Sequence, residues 1–460
     1  MALLPGNLNE LQFQPAHPLL PVFSARMGGL VLFYAPTYLA VARADQGAAL
    51  VERLGAQLPP ANGVERELAA AAHSAITLLE EQRKQAFEPV CLTLYPSERC
   101  NLACAYCFAE EDHRRGGRLS PAAALAGARL VAEICRKRGL PLVIGMHGGG
   151  EPGLEPGLVD LVLDEVERWG LPLYRYIATN GVLSRERARW VARRFDAIGL
   201  SCDGPADIQN RQRPRQSGGP SSAAVEQMAR LVHAAGKQLT VRVTLTEQSV
   251  GQMAEIAQYV CEQLAPREIH LEAAYLGGRA GAELALNGET AERFIEGFWQ
   301  GWQTARAHGV RWVHSAARLW EVHGAYCNPL RGVLQLVPGD AASACFKTAH
   351  DLSARAAGTR LGRFDPLAQE WVFEAAGEAP AWNERTGAIP DGCVGCFLAY
   401  NCTHNCANRC LLKGWNGELG AFCRVERSLA AGWLARFAAE LAGPAEQAGL
   451  AGMKLSPEQF

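Results

Sequence analysis

The residues with the clearest chemistry are Cys100, Cys104 and Cys107, spaced C-x3-C-x2-C directly after a strand-like stretch at 91–95. Three cysteines this close, on a loop with no apolar run to bury them, can converge on one metal centre, and thiolates favour zinc or iron–sulfur clusters. A structural zinc site is closed by four protein ligands, whereas three cysteines leave one iron of a [4Fe-4S] cluster open to a small molecule. The spacing therefore favours an open cluster over a chance group of thiols or a partial zinc site.

Length and composition limit the classes of protein that remain. A chain of 460 residues suggests two or three domains. With 20% charged residues and a net charge of −2, it shows no basic face for nucleic acid or anionic lipid, so neither nucleic acid nor a membrane is expected as a partner. No apolar run of about 18 residues and no export signal is found, which predicts a cytoplasmic protein. Because the cytosol keeps thiols reduced, the 15 cysteines are not expected to form disulfides. Most are expected to be ligands, while four that lie in strand or helix patterns are expected to be small core residues: Cys91, Cys135, Cys202 and Cys261.

Strand and helix patterns alternate from residue 91 to about residue 312. The six candidate strands are 91–95, 141–147, 173–179, 197–202, 239–246 and 268–274. Six βα units in succession predict an α/β fold whose parallel sheet curls into a partial, TIM-like (β/α)6 barrel. In such barrels the chemistry lies at the carboxyl ends of the strands.

Polar motifs follow the ends of the first four predicted strands. The cysteine loop follows the first strand, and the others are followed by Gly149-Gly150-Glu151-Pro152, by Asn180, and by Ser201 and Asp203. The glycines let backbone carbonyls approach a ligand closely. The hydroxyl, amide and carboxylate groups can bind ribose or carboxylate groups, although each residue alone is also a common turn former.

These motifs together resemble those of the radical S-adenosylmethionine (SAM) enzymes. Tyr106 supplies the aromatic residue before the third cysteine of that family, and residues 149–152 match its GGEP segment, which contacts the amino group of SAM. The resemblance implies a [4Fe-4S] cluster on Cys100, Cys104 and Cys107 that transfers an electron to SAM. It also implies that SAM is bound by Tyr106, Gly149, Gly150, Glu151, Pro152, Asn180, Ser201 and Asp203.

Alternation along the last two predicted strands adds three residues. Arg242, His270 and Glu272 fall on the strand face opposite the apolar residues, and charge on the helix-covered face would be buried without water. We therefore expect all three to point into the lumen. Arg242 would face the SAM carboxylate, and Glu272 would act at SAM or substrate as a catalytic residue. A charge pair that joins layers of the barrel is the structural alternative.

A second group of cysteines follows the barrel region. Its members are Cys327, Cys345, Cys393, Cys396, Cys402, Cys406, Cys410 and Cys423. The C-x2-C-x5-C-x3-C core resembles the SPASM extension of radical SAM peptide-modifying enzymes. That resemblance implies two auxiliary [4Fe-4S] clusters, one on Cys393, Cys396, Cys402 and Cys423 and the other on Cys327, Cys345 and Cys406.

Two departures from the SPASM pattern affect its interpretation. Cys410 has no place in the pattern, so it is either a further ligand or a free thiol. Phe346 stands where sulfatase-maturating members carry an acidic base, which argues against oxidation of a sulfatase residue. A zinc ribbon on Cys393, Cys396, Cys402 and Cys406 is the alternative that needs no redox chemistry.

The predicted organisation is a module at 1–88, a radical SAM barrel at 89–315, a SPASM domain at 316–440 and a tail at 441–460. In the first module, two β-prone runs precede helical patterns, an order similar to that of peptide-recognition domains on peptide maturases; a lid or an elaboration of the barrel is the alternative.

The whole pattern predicts a radical SAM enzyme that forms a thioether, carbon–carbon or cyclophane crosslink in a ribosomal peptide. The expected partners are a peptide or protein with a leader segment and an electron donor such as flavodoxin or ferredoxin. A radical SAM enzyme for a small molecule or cofactor precursor is the alternative, and a zinc or iron–sulfur electron carrier is the non-enzyme alternative.

Overall fold

The computed structural model describes residues 11–84, 87–109, 116–274, 278–281, 283–285, 288–314, 317–322, 332–346, 360–373, 389–404 and 420–460. Three of the candidate ligands, Cys327, Cys406 and Cys410, lie outside these ranges. No helix within the described ranges is long and apolar enough to cross a membrane.

The strands are β1 (Gln14–Pro15), β2 (Phe23–Met27), β3 (Leu30–Ala35), β4 (Tyr38–Arg43), β5 (Cys91–Leu94), β6 (Leu142–Met146), β7 (Leu173–Thr179), β8 (Ala197–Ser201), β9 (Gln238–Leu245), β10 (Glu268–Ala273), β11 (Arg311–His314), β12 (Val333–Val337), β13 (Ala341–Ser343), β14 (Arg360–Asp365), β15 (Glu370–Phe373) and β16 (Leu450–Lys454). The α-helices are α1 (Ala44–Gly55), α2 (Gly63–Lys84), α3 (Pro121–Arg138), α4 (Pro156–Glu167), α5 (Arg185–Arg194), α6 (Ala206–Gln212), α7 (Ser222–Ala234), α8 (Met253–Tyr259), α9 (Gly288–Ala307) and α10 (Ala421–Ala448).

The larger of two compact units, residues 86–314 and 327–382, is built on one sheet in the order β11-β10-β9-β8-β7-β6-β5-β12-β13-β14-β15. Strands β5 to β10 pair in parallel with their neighbours, which confirms the predicted α/β class and its six βα units. Two further parallel strands flank them: β11 beside β10 and β12 beside β5. The sequence did not predict β12 as part of the barrel sheet, because the pairing joins segments about 240 positions apart and local periodicity does not report it.

Alternation explains which side chains face the barrel interior. In β9 every second residue is buried, from Leu239 to Leu245, while the residues between them are only half-buried. Helix α7 packs on this strand and supplies apolar partners such as Val225 and Val232. The opposite face of the sheet is therefore free to carry polar groups.

The second unit, residues 1–85, 315–326 and 383–460, contains the antiparallel sheet β1-β2-β3-β4-β16. The predicted pair of strands is present as the hairpin β3–β4, closed by Thr37 at a positive φ of 73°. Helix α1 begins after Arg43, and Asp45 lies in its first turn. The predicted tail instead contains the end of α10 and strand β16, which pairs with β4.

Candidate functional site

The loop with Cys100, Cys104 and Cys107 follows β5 and is held along the segment that follows α6. The amides of Ala103 and Ala105 donate to the carbonyls at positions 214 and 212, at 2.8 and 2.9 Å. All three cysteines are half-buried. The backbone that carries them is fixed by these hydrogen bonds.

The predicted GGEP segment packs directly against the residues that precede Cys100. The amide of Glu151 donates to the carbonyl of Arg99 at 2.8 Å. A Cβ on Gly150 would collide with the carbonyl oxygen of Ser97 and lie 2.7 Å from that of Arg99, so only glycine fits there. Gly149 is half-buried, and Pro152 begins a single 3-10 turn. This close packing connects the ends of β5 and β6.

Glu151 does not have the exposed carboxylate of a ligand-binding residue. It is 2% exposed, and its oxygens accept hydrogen bonds from the Thr179 hydroxyl at 2.7 Å and from the amides of Gly153 and Asn180 at 2.8 and 2.6 Å. Burial raises its pKa, and these donors partly oppose that rise. Its contacts tie the loop after β6 to the end of β7, and its expected contact with SAM stays a prediction.

Asn180 touches the cysteine loop itself. Its side-chain nitrogen donates to the side-chain oxygen of Asn101 at 2.9 Å and lies 3.8 Å from the sulfur of Cys100. Its oxygen accepts from the amide of Val182 at 2.8 Å. An amide donor at a ligand sulfur is one of the ways in which a protein sets the potential of an iron–sulfur cluster.

Asp203 is the buried centre of a network that reaches the cysteine loop. It is 0% exposed, and its carboxylate accepts from the Tyr106 hydroxyl at 2.5 Å, from Gln212 at 2.8 Å and from the Thr244 amide at 2.9 Å. Arg213 forms an ion pair with it at 3.0 Å. These contacts tie the loop after β8 to the cysteine loop. The expected contact of Asp203 with the ribose of SAM stays a prediction.

Tyr106 is positioned by the same network. The Arg213 guanidinium lies 5.2 Å from the centre of the Tyr106 ring, a cation–π arrangement. Burial raises the pKa of the Tyr106 hydroxyl, which keeps it protonated as the donor to Asp203. Sequence reasoning missed Arg213, because its position twelve residues after the end of β8 carries no local signal.

The loop after β10 also contacts the cysteine loop, which the sequence analysis did not anticipate. The amide of Arg279 donates to the carbonyl of Cys107 at 3.0 Å. Gly278 has a φ of 63°, and a Cβ there would collide with that same carbonyl. Gly150 and Gly278, on different loops, thus allow the backbone to approach the cysteine loop closely. Of the two, Gly150 lies in a motif that the sequence analysis recognised.

The register of the sheet brings three predicted residues side by side. Ser201 of β8 is opposite Arg242 of β9, which is opposite His270 of β10. Glu272 lies two residues on, with its carboxylate 3.5 Å from the His270 ring nitrogen. All four residues are half-buried, and Arg242, His270 and Glu272 alternate with the fully buried residues of their strands. Their roles at SAM or substrate remain predictions.

His147, which follows β6, is a polar residue that the sequence analysis did not single out. Its ring stacks on Phe346 with centroids 5.0 Å apart, and its Nδ1 atom is buried without a hydrogen-bond partner in the described part of the chain. Burial lowers its pKa to about 3, and the charge of Arg242 acts in the same direction. The ring is therefore a neutral group, able to accept or donate one hydrogen bond.

A second cysteine site lies in the smaller unit. Cys393, Cys396, Cys402 and Cys423 line one pocket, together with His404 and the buried carboxylate of Glu426. The first three lie on a run of tight turns, where the amide of Cys396 donates to the carbonyl of Cys393 at 3.0 Å, and Cys423 lies in the first turn of α10. The structure thus brings together the four cysteines that the SPASM resemblance assigned to one cluster.

The arrangement of these thiols bears on which metal group could fit. A single zinc ion draws thiolate sulfurs to within about 2.3 Å of one point. Among the described residues, no three His, Cys, Asp or Glu side chains are arranged to hold one metal ion. Four thiols around one pocket could hold either a zinc ion or an iron–sulfur cluster. Cys345, assigned to the other cluster, lies after β13 in the larger unit, and its expected co-ligands Cys327 and Cys406 are outside the described residues.

Comparison with known proteins gives results that agree with this site. A model of the radical SAM superfamily matches residues 94–260, which span β5 to α8. A curated relative, the serine-type anaerobic sulfatase-maturating enzyme of Klebsiella aerogenes, is 24% identical over 346 residues, which are 71% of this chain and 81% of the relative.

Two solved structures share the fold. Native anSMEcpe with bound AdoMet superposes with a TM-score of 0.58 at 17% identity, covering 78% of this chain and 99% of that one. SuiB of Streptococcus suis, solved with the precursor peptide SuiA, has a TM-score of 0.52 at 14% identity, covering 86% of this chain and 98% of that one. At these low sequence identities, the two comparisons show a shared fold and no more.

Proposed function

We propose that this chain, whose residues 94–260 match a model of the radical SAM superfamily, is a radical SAM enzyme that modifies a side chain of a peptide or protein by abstracting a hydrogen atom. The observation that carries this proposal is the way the cysteine loop is held. Loops from β6, β7, β8 and β10 all contact it, so that Cys100, Cys104 and Cys107 lie at the carboxyl ends of the barrel strands.

The donor set fits a cluster with one open iron. The three thiols are half-buried, and the Asn180 amide lies beside the sulfur of Cys100. When bound there, a [4Fe-4S] cluster and SAM would together supply a 5′-deoxyadenosyl radical. The chain's own part is to hold the loop and to keep water from the reacting groups.

The face with Ser201, Arg242 and His270 is the proposed place for SAM and the substrate. Arg242 supplies a positive charge that suits the carboxylate of SAM, and Glu272 remains the proposed catalytic residue. His147 adds a neutral ring beside Phe346, the residue that stands where sulfatase-maturating members carry an acid. This difference favours a product other than an oxidised sulfatase residue.

A peptide or protein is favoured as the substrate over a small molecule. The Klebsiella relative is named for sulfatase maturation, and the SuiB structure holds a precursor peptide. The four-cysteine pocket supports an auxiliary cluster that would exchange an electron with the substrate after hydrogen abstraction, as crosslink formation requires. We propose a flavodoxin or ferredoxin as the donor that reduces the core cluster.

The substrate class is tested with peptides encoded next to this gene. The reconstituted enzyme is incubated anaerobically with reductant, SAM and each synthetic peptide, and the peptide mass is measured. A loss of two hydrogens, with deuterium moving from a labelled peptide into 5′-deoxyadenosine, is the expected result. Deuterium transfer only from a small molecule or cofactor precursor would instead establish the alternative substrate class.

The ligands of the second auxiliary cluster yield a further prediction. Only Cys327, Cys345 and Cys406 are assigned to it, and Cys410 lies four residues beyond Cys406. We propose that this cluster keeps an open iron, suited to bind a substrate thiolate. The Cys410→Ala variant should therefore retain the full iron content, measured by colorimetric iron analysis beside the Cys345→Ala variant. Loss of about four irons per chain from the Cys410→Ala variant would show that Cys410 completes the cluster.

A further inference from the structure

Tyr34, in the middle of β3, makes a buried hydrogen bond to the turn that carries the auxiliary cysteines. Its hydroxyl donates to the side-chain oxygen of Asn401 at 2.7 Å, across 367 positions of sequence. Tyr34 and Asn401 are both 0% exposed. Asn401 immediately precedes Cys402, one of the four cysteines that line the pocket. The hydrogen bond therefore fixes the backbone next to a proposed iron ligand.

Asn401 has no spare hydrogen-bonding capacity on its donor side. Its side-chain nitrogen donates to the carbonyls of Glu321 at 2.8 Å and Arg318 at 3.3 Å, and its backbone carbonyl accepts from the Arg318 amide at 3.0 Å. The adjacent residue, Cys402, forms a β-bridge with Ala317. A buried amide that loses one partner has no water to replace it, so the Tyr34 hydroxyl is needed to keep this arrangement.

Aromatic packing holds the neighbouring cysteine from the same side. Phe397, which follows Cys396, stacks on Phe13 with centroids 4.6 Å apart and meets the Tyr34 ring edge-on at 6.1 Å. Phe397 is itself buried. The turn from Cys396 to Cys402 is thus held at one end by ring packing and at the other by a hydrogen bond.

The fourth cysteine is supported by the same sheet. Cys423 lies in the first turn of α10, and this helix packs on β4 and β16. Residues from both ends of the chain therefore support the segments that carry Cys396, Cys402 and Cys423. Removal of the N-terminal strands would therefore remove buried contacts of the segments that carry these cysteines.

We infer that the sheet β1-β2-β3-β4-β16 is the frame of the auxiliary cluster site, and that Tyr34 is a positioning residue for Cys402. The inference rests on the proposed auxiliary cluster. It gives the segment at 1–88 a function besides peptide recognition. Deleting that segment would remove Tyr34 and Phe13, so a loss of activity on deletion would not by itself demonstrate leader binding.

The test compares Tyr34→Phe with Tyr38→Phe. The first change keeps the ring contacts with Phe397 and removes only the hydroxyl bonded to Asn401. The second removes a hydroxyl from the adjacent strand, where it lies against Gly452 of β16. Both are made in a background in which the three core cysteines are alanine, so that all remaining cluster absorbance comes from auxiliary sites.

The measured quantity is the rate at which a ferrous-iron chelator bleaches the cluster absorbance. The kinetic phase that disappears in the Cys402→Ala variant is assigned to this auxiliary cluster. Tyr34→Phe should lose that phase about tenfold faster than the parent, as expected when one buried partner is removed. Tyr38→Phe should match the parent. Adding Tyr34→Phe to Asn401→Ala should give no further acceleration, because the Tyr34 hydroxyl acts through the Asn401 side chain, which is already absent.

Equal rates for Tyr34→Phe and Tyr38→Phe, or additive effects with Asn401→Ala, would overturn the inference while leaving the proposed cluster intact. General unfolding of Tyr34→Phe, seen as loss of helical circular dichroism, would also overturn it, since the role would then be structural for the whole chain. Absence of the cluster phase from the parent itself would refute the proposed auxiliary cluster, and the inference with it.

Discussion

The Cys104→Ala variant should produce no 5′-deoxyadenosine above the level of a reaction without enzyme. Cys104 is one of only three proposed protein ligands, so its loss leaves a cluster that the loop cannot hold. Its backbone carbonyl lies 3.2 Å from the Cys107 amide, and this bond does not involve the side chain, so the loop itself should keep its conformation. The measurement is anaerobic turnover with reductant and SAM, followed by chromatographic quantification.

The matched control for this prediction is Cys261→Ala. Cys261 is a buried residue in a π-helical turn, where it acts as a small core side chain. No ligand or catalytic role is proposed for its thiol. This control should form 5′-deoxyadenosine at the parent rate and retain all its iron. If Cys104→Ala were as active as Cys261→Ala, the assignment of the core ligands would be incorrect.

Removing the carboxylate of Asp203 should give the largest loss of stability. The Asp203→Ala variant leaves the buried Arg213 guanidinium without its ion-pair partner and Tyr106 without its acceptor. Breaking a buried ion pair from one side costs about 3–5 kcal/mol. We expect a free energy of unfolding lowered by that amount, and lower iron content at the core site, because the cysteine loop is bonded to this network.

The Asp207→Ala variant is the control, since Asp207 is an exposed carboxylate on the adjacent helix α6. It should unfold at the parent denaturant concentration, as expected for a surface substitution, within about 0.5 kcal/mol. The Asp203→Asn variant should fall between the two. Equal stability of Asp203→Ala and Asp207→Ala would show that the buried network does not hold the loop.

Local patterns in the sequence were sufficient to predict the barrel. The alternation in β9 and the turn signals between βα units depend only on neighbouring residues, so all six strands fall at the expected places. The cysteine loop was also predicted from local spacing. Gly150, where a Cβ would collide with neighbouring backbone, lies within a motif that the sequence shows.

What the sequence did not predict depends on contacts between distant segments. Asp203 was predicted to contact SAM because it follows a strand, but its buried hydrogen-bond partners come from three other segments, including Tyr106, 97 positions earlier. Likewise, the bond from Tyr34 to Asn401 joins the first predicted module to the third. A single sequence contains no pattern that pairs such positions, so buried polar partners were the part of the site that sequence reasoning missed.

The most direct test of the central claim is the reaction of the unmodified chain with SAM. The protein is reconstituted anaerobically with iron and sulfide, reduced with dithionite and incubated with SAM, and 5′-deoxyadenosine and methionine are quantified. A radical SAM enzyme should release the two in equal amounts, only with reductant present. Absence of 5′-deoxyadenosine from protein whose spectrum shows a reduced [4Fe-4S] cluster would contradict the account.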